Sequence, residues 1–183
     1  VARPLDPDWK ERWKRWFKGF QVSPRLAVRP SWEDDPEGLD EGAVVVTIEP
    51  GMAFGTGQHE TTHLCLEALD ACAKGTNPPP QILDVGCGTG ILAIAAARLW
   101  GAEVLGIDVD EAALRSARDN LAPNGVESLV TLSATPLAEV QAQYPLVIAN
   151  IIAPVLLALA DALVEHVAPG GSLWLSGVLE TQV

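Results

Sequence analysis

Positive charge is scarce over most of this 183-residue chain: beyond residue 29 only Lys74, Arg98, Arg115 and Arg118 are basic, against 21 acidic residues. Proteins that track a phosphate backbone neutralise it with clustered Lys and Arg, so this acidic body is not expected to bind nucleic acid directly. Residues 1–29 hold the other eight Lys and Arg, and the chain as a whole carries a formal charge of −12. A basic macromolecular partner suits such a surface, because a negative field concentrates positive substrates. Cysteine is also sparse. Cys65, Cys72 and Cys87 are odd in number and form no CxxC pair, which argues against a disulfide framework or a cysteine zinc site. No apolar run approaches the roughly 20 residues of a membrane helix. Arg3 and Asp6 stand where a signal peptide would need an apolar core. These absences lead us to expect a soluble protein of the reducing cytoplasm with no membrane partner.

What is present is enough for a core, since 48% of positions are hydrophobic. The segment DPDWKERWKRWFKGF sets Trp9, Trp13, Trp16 and Phe20 at helical spacing, which predicts a short amphipathic helix packed on the body, with contact to RNA or a partner as the alternative use of its aromatic stripe. An acidic loop follows from Glu33 to Gly42. Next comes a strand, Ala43 to Ile48, that runs into the glycine-rich stretch PGMAFGTGQHETT. From Gln81 onward strands and helices alternate. Strands are expected near 81–85, 103–107, 129–133, 146–150 and 172–176, with helices near 90–100, 111–121 and 154–167, the last closed by Gly170 and Gly171. Such alternation implies a doubly wound, mostly parallel α/β sheet with right-handed crossovers.

The sharpest motif is DVGCGTG, residues 84–90, between the strand ILDV and the helix ILAIAAARLW. Glycines 86, 88 and 90 allow a tight turn and close approach of backbone to a ligand, and the helix start offers free N–H groups. A dinucleotide fingerprint needs its third glycine one residue later, where Ile91 stands. Asp108 ends the next strand in GIDVD, where a carboxylate can accept from both ribose hydroxyls of a nucleoside. Asp110 is the better candidate for capping the helix EAALRSARDNL.

The spacing D-x-G-x-G-x-G resembles motif I of the class I S-adenosylmethionine-dependent methyltransferases, of Rossmann-like fold. Together with PGMAFGTGQHETTHLCLEAL, GIDVDEAAL and NIIA at 150–153, it closely resembles the bacterial ribosomal protein L11 methyltransferase family. SPRLAVRPSW and SGVLETQV are similar to the same family. The resemblance implies methyl transfer from S-adenosylmethionine to lysine side-chain and N-terminal amines of a basic ribosomal protein. It makes Thr62, Gly86, Asp108 and Asn150 cofactor contacts, with Asp84, Gly88 and Gly90 in the same motif. The loop at Phe54, Gly55, Thr56 and Gly57 would close over the methionine end. Members of the family carry an N-terminal recognition domain and a terminal antiparallel hairpin. By that comparison residues 1–42 are expected to be a linker helix and loop toward a recognition domain lying outside this chain. Residues 43–183 would be the catalytic domain, without the hairpin.

Chemistry narrows the role of Asn150. A lysine amine has an ordinary pKa near 10.4, so holding it neutral near pH 7.4 costs about 4 kcal/mol. Asn150 cannot take a proton, but its side-chain oxygen can accept an N–H and orient the lone pair, which makes it the candidate catalytic residue. Methyl transfer to RNA or to a small molecule is the nearest alternative, because cofactor motifs do not specify an acceptor. A non-enzymatic nucleotide-binding scaffold is another. HETTH, residues 59–63, literally fits the H-E-x-x-H pattern of zinc peptidases. The only other histidine is His166, so no third ligand follows at the required spacing, and no metal is expected.

Overall fold

The computed structural model describes residues 17–49, 59–75 and 77–178. In chain order the elements are β1 (Phe20–Ser23), β2 (Leu26–Arg29), β3 (Val44–Thr47), α1 (Glu60–Ala73), β4 (Gln81–Val85), α2 (Ile91–Trp100), β5 (Glu103–Ile107), α3 (Glu111–Asn124), β6 (Val130–Ser133), β7 (Tyr144–Asn150), α4 (Ala153–Glu165) and β8 (Val167–Ser176). Five strands form one parallel sheet in the order β6-β5-β4-β7-β8. The chain winds outward from β4 through β5 to β6, then crosses back to lay β7 and β8 on the other side of β4. That reversal opens a crevice between the carboxyl ends of β4 and β7, where ligands of such sheets gather.

The sheet is covered on both faces, which is why its central strands read as continuous apolar runs. On one face Ile82 and Ile148 pack with Leu66 and Leu69 of α1 and with α2, whose first seven residues are all buried. Leu83, Val85 and Val147 face the other way, onto Leu156 and Leu163 of α4. Four alanines in α2 let that helix sit close to the strands. The smaller sheet β1-β2-β3 joins the first core through Leu26, Val28 and Val46, and Arg25 beside β2 pairs with the buried Asp70 of α1 at 2.9 Å. Among the described residues no helix is long and apolar enough to cross a membrane.

The expected alternation is present, with three local departures. Phe20 opens strand β1 instead of ending a helix, and its ring lies 5.6 Å from that of His63; pairing with Val28 across the β1–β2 hairpin overrides helical periodicity here. Trp9, Trp13 and Trp16 lie outside the described residues. Gly170 and Gly171 do not close α4, which ends at Glu165; they lie within β8, at a register irregularity between Tyr144 and Leu146 of β7. Gly171 is needed there because backbone oxygens of Pro145 and Ala168 stand 2.8 and 2.9 Å from where a Cβ would be. α3 runs on to Asn124, stopped by Gly125 at φ +65°.

Two buried amides on α3 then fix the loops that approach the crevice. Asn124 exchanges hydrogen bonds with Thr47, accepting from its N–H at 2.9 Å and donating to its carbonyl at 2.7 Å. Asn120 accepts from the Glu49 N–H at 2.9 Å and donates to the Thr89 carbonyl at 3.0 Å. It thereby ties the end of β3 to the glycine loop after β4. Removing that side chain takes this partner from the half-buried Glu49 N–H and the buried Thr89 carbonyl, at about 1–3 kcal/mol for a buried group left unsatisfied. Asn120→Ala is expected to lose about 2–4 kcal/mol and to lower Tm by roughly 4–12 °C, checked by thermal and urea unfolding; a loss under about 0.5 kcal/mol would remove the staple from this account.

Candidate active site

β4 delivers the DVGCGTG loop to the crevice. Gly86, Gly88 and Gly90 all take positive φ, at 72°, 55° and 78°, so each requires glycine's conformational freedom. Gly86 and Cys87 donate their N–H groups to the Ile107 carbonyl of β5, and Gly90 stands as the residue before α2 with no side chain to cap it. Asp84 supplies part of that function from the strand, because its carboxylate accepts from the backbone N–H of Ala93 in the first turn of α2. Its other oxygen, Oδ2, is buried with no partner among the described residues. Burial first, and then the nearby charge of Asp108, push its pKa up to about 7 against the pull of the Ala93 hydrogen bond.

Asp108 follows β5 directly and is only half-buried. Its Oδ2 accepts from the Gly88 N–H at 2.9 Å and its Oδ1 from the Asp110 N–H at 2.9 Å. Two backbone donors fix the carboxylate against the glycine loop, and each oxygen keeps further acceptor capacity for a ligand hydroxyl. Asp110 caps α3 by accepting from Ala112 N–H at 2.8 Å.

Across the crevice Asn150 ends β7, 8% exposed, and donates from Nδ2 to Thr62 Oγ1 at 3.1 Å. The two residues are 88 apart in sequence, so this bond is made only by the fold. Asn150 Oδ1 has no partner among the described residues. Beside it Ser176 Oγ, at the end of β8, donates to the Thr61 carbonyl at 3.2 Å, so the first turn of α1 is held to both strand ends. The sequence-predicted set therefore converges: Thr62 with Asn150, and Asp84, Gly86, Gly88 and Gly90 with Asp108. Phe54, Gly55, Thr56 and Gly57 lie outside the described residues.

HETTH serves as a helix start. His59 is the residue before α1, and its Nδ1 takes the Thr61 N–H at 3.3 Å; His63 is turned to Glu67, with Nε2 3.5 Å from its carboxylate. Among the described residues no three His, Cys, Asp or Glu are grouped to hold a metal. Asn120 and Asn124 were missed in the sequence. Their signal was available, because they share a helical face with Ala113, Leu114, Ala117 and Leu121, and an amide on an apolar stripe needs a buried partner.

A parallel sheet with this strand order, a triple-glycine loop at its switch point and a carboxylate set beside that loop define the Rossmann-like fold of the class I S-adenosylmethionine-dependent methyltransferases. Comparison with known proteins narrows the class. The sequence profile of the family described as ribosomal protein L11 methyltransferase (PrmA) matches residues 2–183. A ribosomal protein L11 methyltransferase of Geotalea uraniireducens is 44% identical over 98% of this chain and 59% of its own length. That of Dechloromonas aromatica is 46% identical over all of this chain and 59% of its own. A crystal structure of a ribosomal protein L11 methylase from Lactobacillus delbrueckii subsp. bulgaricus superposes with a TM-score of 0.80 at 34% identity, over 91% of this chain and 83% of that one. The chain belongs to the ribosomal protein L11 methyltransferase family. It spans about three-fifths of the length of the curated relatives it matches.

The buried Asp84 carboxyl makes stability depend on pH. The folded chain keeps this proton up to about pH 7, whereas the unfolded carboxyl loses it near 3.8. Between those values the folded state binds more protons, so stability falls as pH rises through the window and levels above it. The effect reaches at most about 4 kcal/mol. Asp84→Asn keeps an acceptor for Ala93 and removes the titration, so its stability should gain on the parent steadily from pH 4 to 7.5 in urea unfolding. Parallel curves for parent and variant would contradict the assignment.

Proposed function

We propose that this chain carries the methyl-transfer site of an enzyme that modifies lysine side-chain and N-terminal amines of a basic ribosomal protein. Residues 43–183 would provide the chemistry and residues 1–42 the connection toward a substrate-recognition domain. The observation that carries this reading is the divided Asn150 amide: Nδ2 is committed to Thr62, and the unpartnered Oδ1 is left to accept from an incoming N–H.

The residues fit the cofactor. The positive φ of Gly86, Gly88 and Gly90 folds the loop tightly ahead of α2, Asp108 suits two ribose hydroxyls, and the buried Asp84 Oδ2 is left with unmet hydrogen-bonding capacity beside the loop. Bound S-adenosylmethionine supplies a methyl group already activated on its sulfonium. The chain's own work is then to bind, orient and desolvate. Asn150 cannot remove the amine's proton, so the proton leaves to solvent before the nitrogen reaches the buried Asn150, where desolvation favours the neutral form. Asn150 Oδ1 then holds one remaining N–H and so aims the lone pair. The acidic surface attracts a basic protein and disfavours nucleic acid, which supports a protein acceptor over RNA. A ribosomal protein substrate places the enzyme in the cytoplasm.

The test uses the complete enzyme with a ribosomal protein substrate, with single-turnover transfer measured beside cofactor titration. Asn150→Ala should slow transfer about 10- to 1000-fold while cofactor affinity stays largely intact, since one positioned polar contact made mainly in the transition state is worth a few kcal/mol. Asp108→Ala should weaken cofactor binding about tenfold or more. Unchanged transfer by Asn150→Ala would remove the residue from the reaction, and an equal fall in cofactor affinity would reassign it to the cofactor alone.

A further inference from the structure

Ile151, the residue after Asn150, is held in a slot that two glycines make. A Cβ on Gly86 would run into Ile151 Cγ2, so the glycine loop and this side chain are in direct packing contact. From the other side, a Cβ on Gly177 would press first on Ile151 backbone: its carbonyl oxygen nearest, its carbonyl carbon at 2.8 Å and its nitrogen at 3.0 Å. Gly177 follows β8 by one residue, next to the Asn150–Ser176 pair that ends the β7–β8 ladder. Three strand ends thus converge at one residue: Ile151 follows β7, the loop after β4 meets its side chain, and the end of β8 meets its backbone. Ile151 is partly buried against the second core, while the next residue, Ile152, is 63% exposed and leads into α4 without a side-chain cap. The backbone would be free to shift there if the slot were loose.

We propose that Ile151 is a positioning residue for methyl transfer, wedged between Gly86 and Gly177 so that Asn150 Oδ1 stays at a fixed place relative to the glycine loop. The inference rests on the reading of Asn150 given above. It explains two glycines at once. Gly177 is needed for the space as well as for its φ of +88°, because an added methyl would press on backbone that has nowhere to move. The β-branch of Ile151 is also needed, because the atom that touches Gly86 is the Cγ2 that leucine and alanine lack. The wedge acts through Asn150 and touches no reacting atom.

The space requirement separates from backbone strain by a matched pair. Gly170 lies within β8, upstream of Gly177, with a φ of +77° and nothing within 4 Å of a Cβ, so Gly170→Ala imposes the strain without the clash. In the complete enzyme, Gly177→Ala is expected to slow single-turnover transfer tenfold or more, with cofactor Kd changed less than about threefold. Gly170→Ala should stay within twofold on both. Ile151→Val, which keeps Cγ2, should retain at least half the parental rate, whereas Ile151→Leu and Ile151→Ala should fall as Gly177→Ala does. Circular dichroism and Tm confirm that each variant is folded, and the Ile151 series decides the matter if Gly177→Ala is not. Equal rates for Ile151→Val, Ile151→Leu and Ile151→Ala, or equal losses for the two glycine variants, would overturn the wedge while leaving Asn150 in place. Full transfer by Asn150→Ala would instead bring down the Asn150 reading and the wedge with it.

Discussion

The hydrogen bond from Asn150 Nδ2 to Thr62 Oγ1 fixes which way a buried amide faces and leaves its Oδ1 without a partner among the described residues. Nδ2 carries a second N–H, but the buried Oδ1 is an acceptor and can be met only by a donor. Thr62 can hold the amide only because α1 is anchored on both sides. Ser176 reaches the Thr61 carbonyl from β8, and Arg25 and Lys74 engage the buried Asp70 further along the helix. Desolvation first raises, and these cationic partners then lower, the Asp70 carboxyl; the partners prevail and it lies below its ordinary range, so it remains a charged tether for the small sheet.

Burial serves two opposed purposes around this bond. Apolar residues on both faces of the sheet supply the folding energy, and the same dryness leaves Asp84 Oδ2 and Asn150 Oδ1 with unmet hydrogen-bonding capacity. An unsatisfied buried polar group costs stability, and a partner that meets it offsets that cost. Sites of this kind sit where a fold departs from its own packing rules. Asp84 does so at the central strand, where every neighbour in the ladder is apolar or glycine: Gly106 on β5 and Ile148 on β7.

The sequence made much of this legible, for identifiable reasons. DVGCGTG, Asp108 and Asn150 stand at strand exits, where residue type and spacing alone indicate the ligand edge. Thr62 was reached through resemblance, since nothing local says that a threonine in a helix start will face Asn150 across 88 residues. HETTH shows the converse: a literal metal motif whose first histidine is spent on capping and whose second turns to Glu67. β1 and β2 were hidden because each is only four residues long and the first follows an aromatic helical period. Asn120 and Asn124 stand on an apolar helical stripe that marks them as buried, but their partners at the end of β3 and in the glycine loop are set only by the fold. The Gly86–Ile151–Gly177 contact joins three separate strand ends, and no spacing rule encodes it.

Binding of the cofactor by this chain is the claim on which the rest stands, and isothermal titration calorimetry with S-adenosylhomocysteine measures it without an acceptor. The account predicts one site per chain, with binding enthalpy present for the parent and for Asn120-intact variants such as Gly170→Ala, and strongly weakened by Asp108→Ala. A folded chain that takes up neither S-adenosylhomocysteine nor S-adenosylmethionine at millimolar concentration would contradict it.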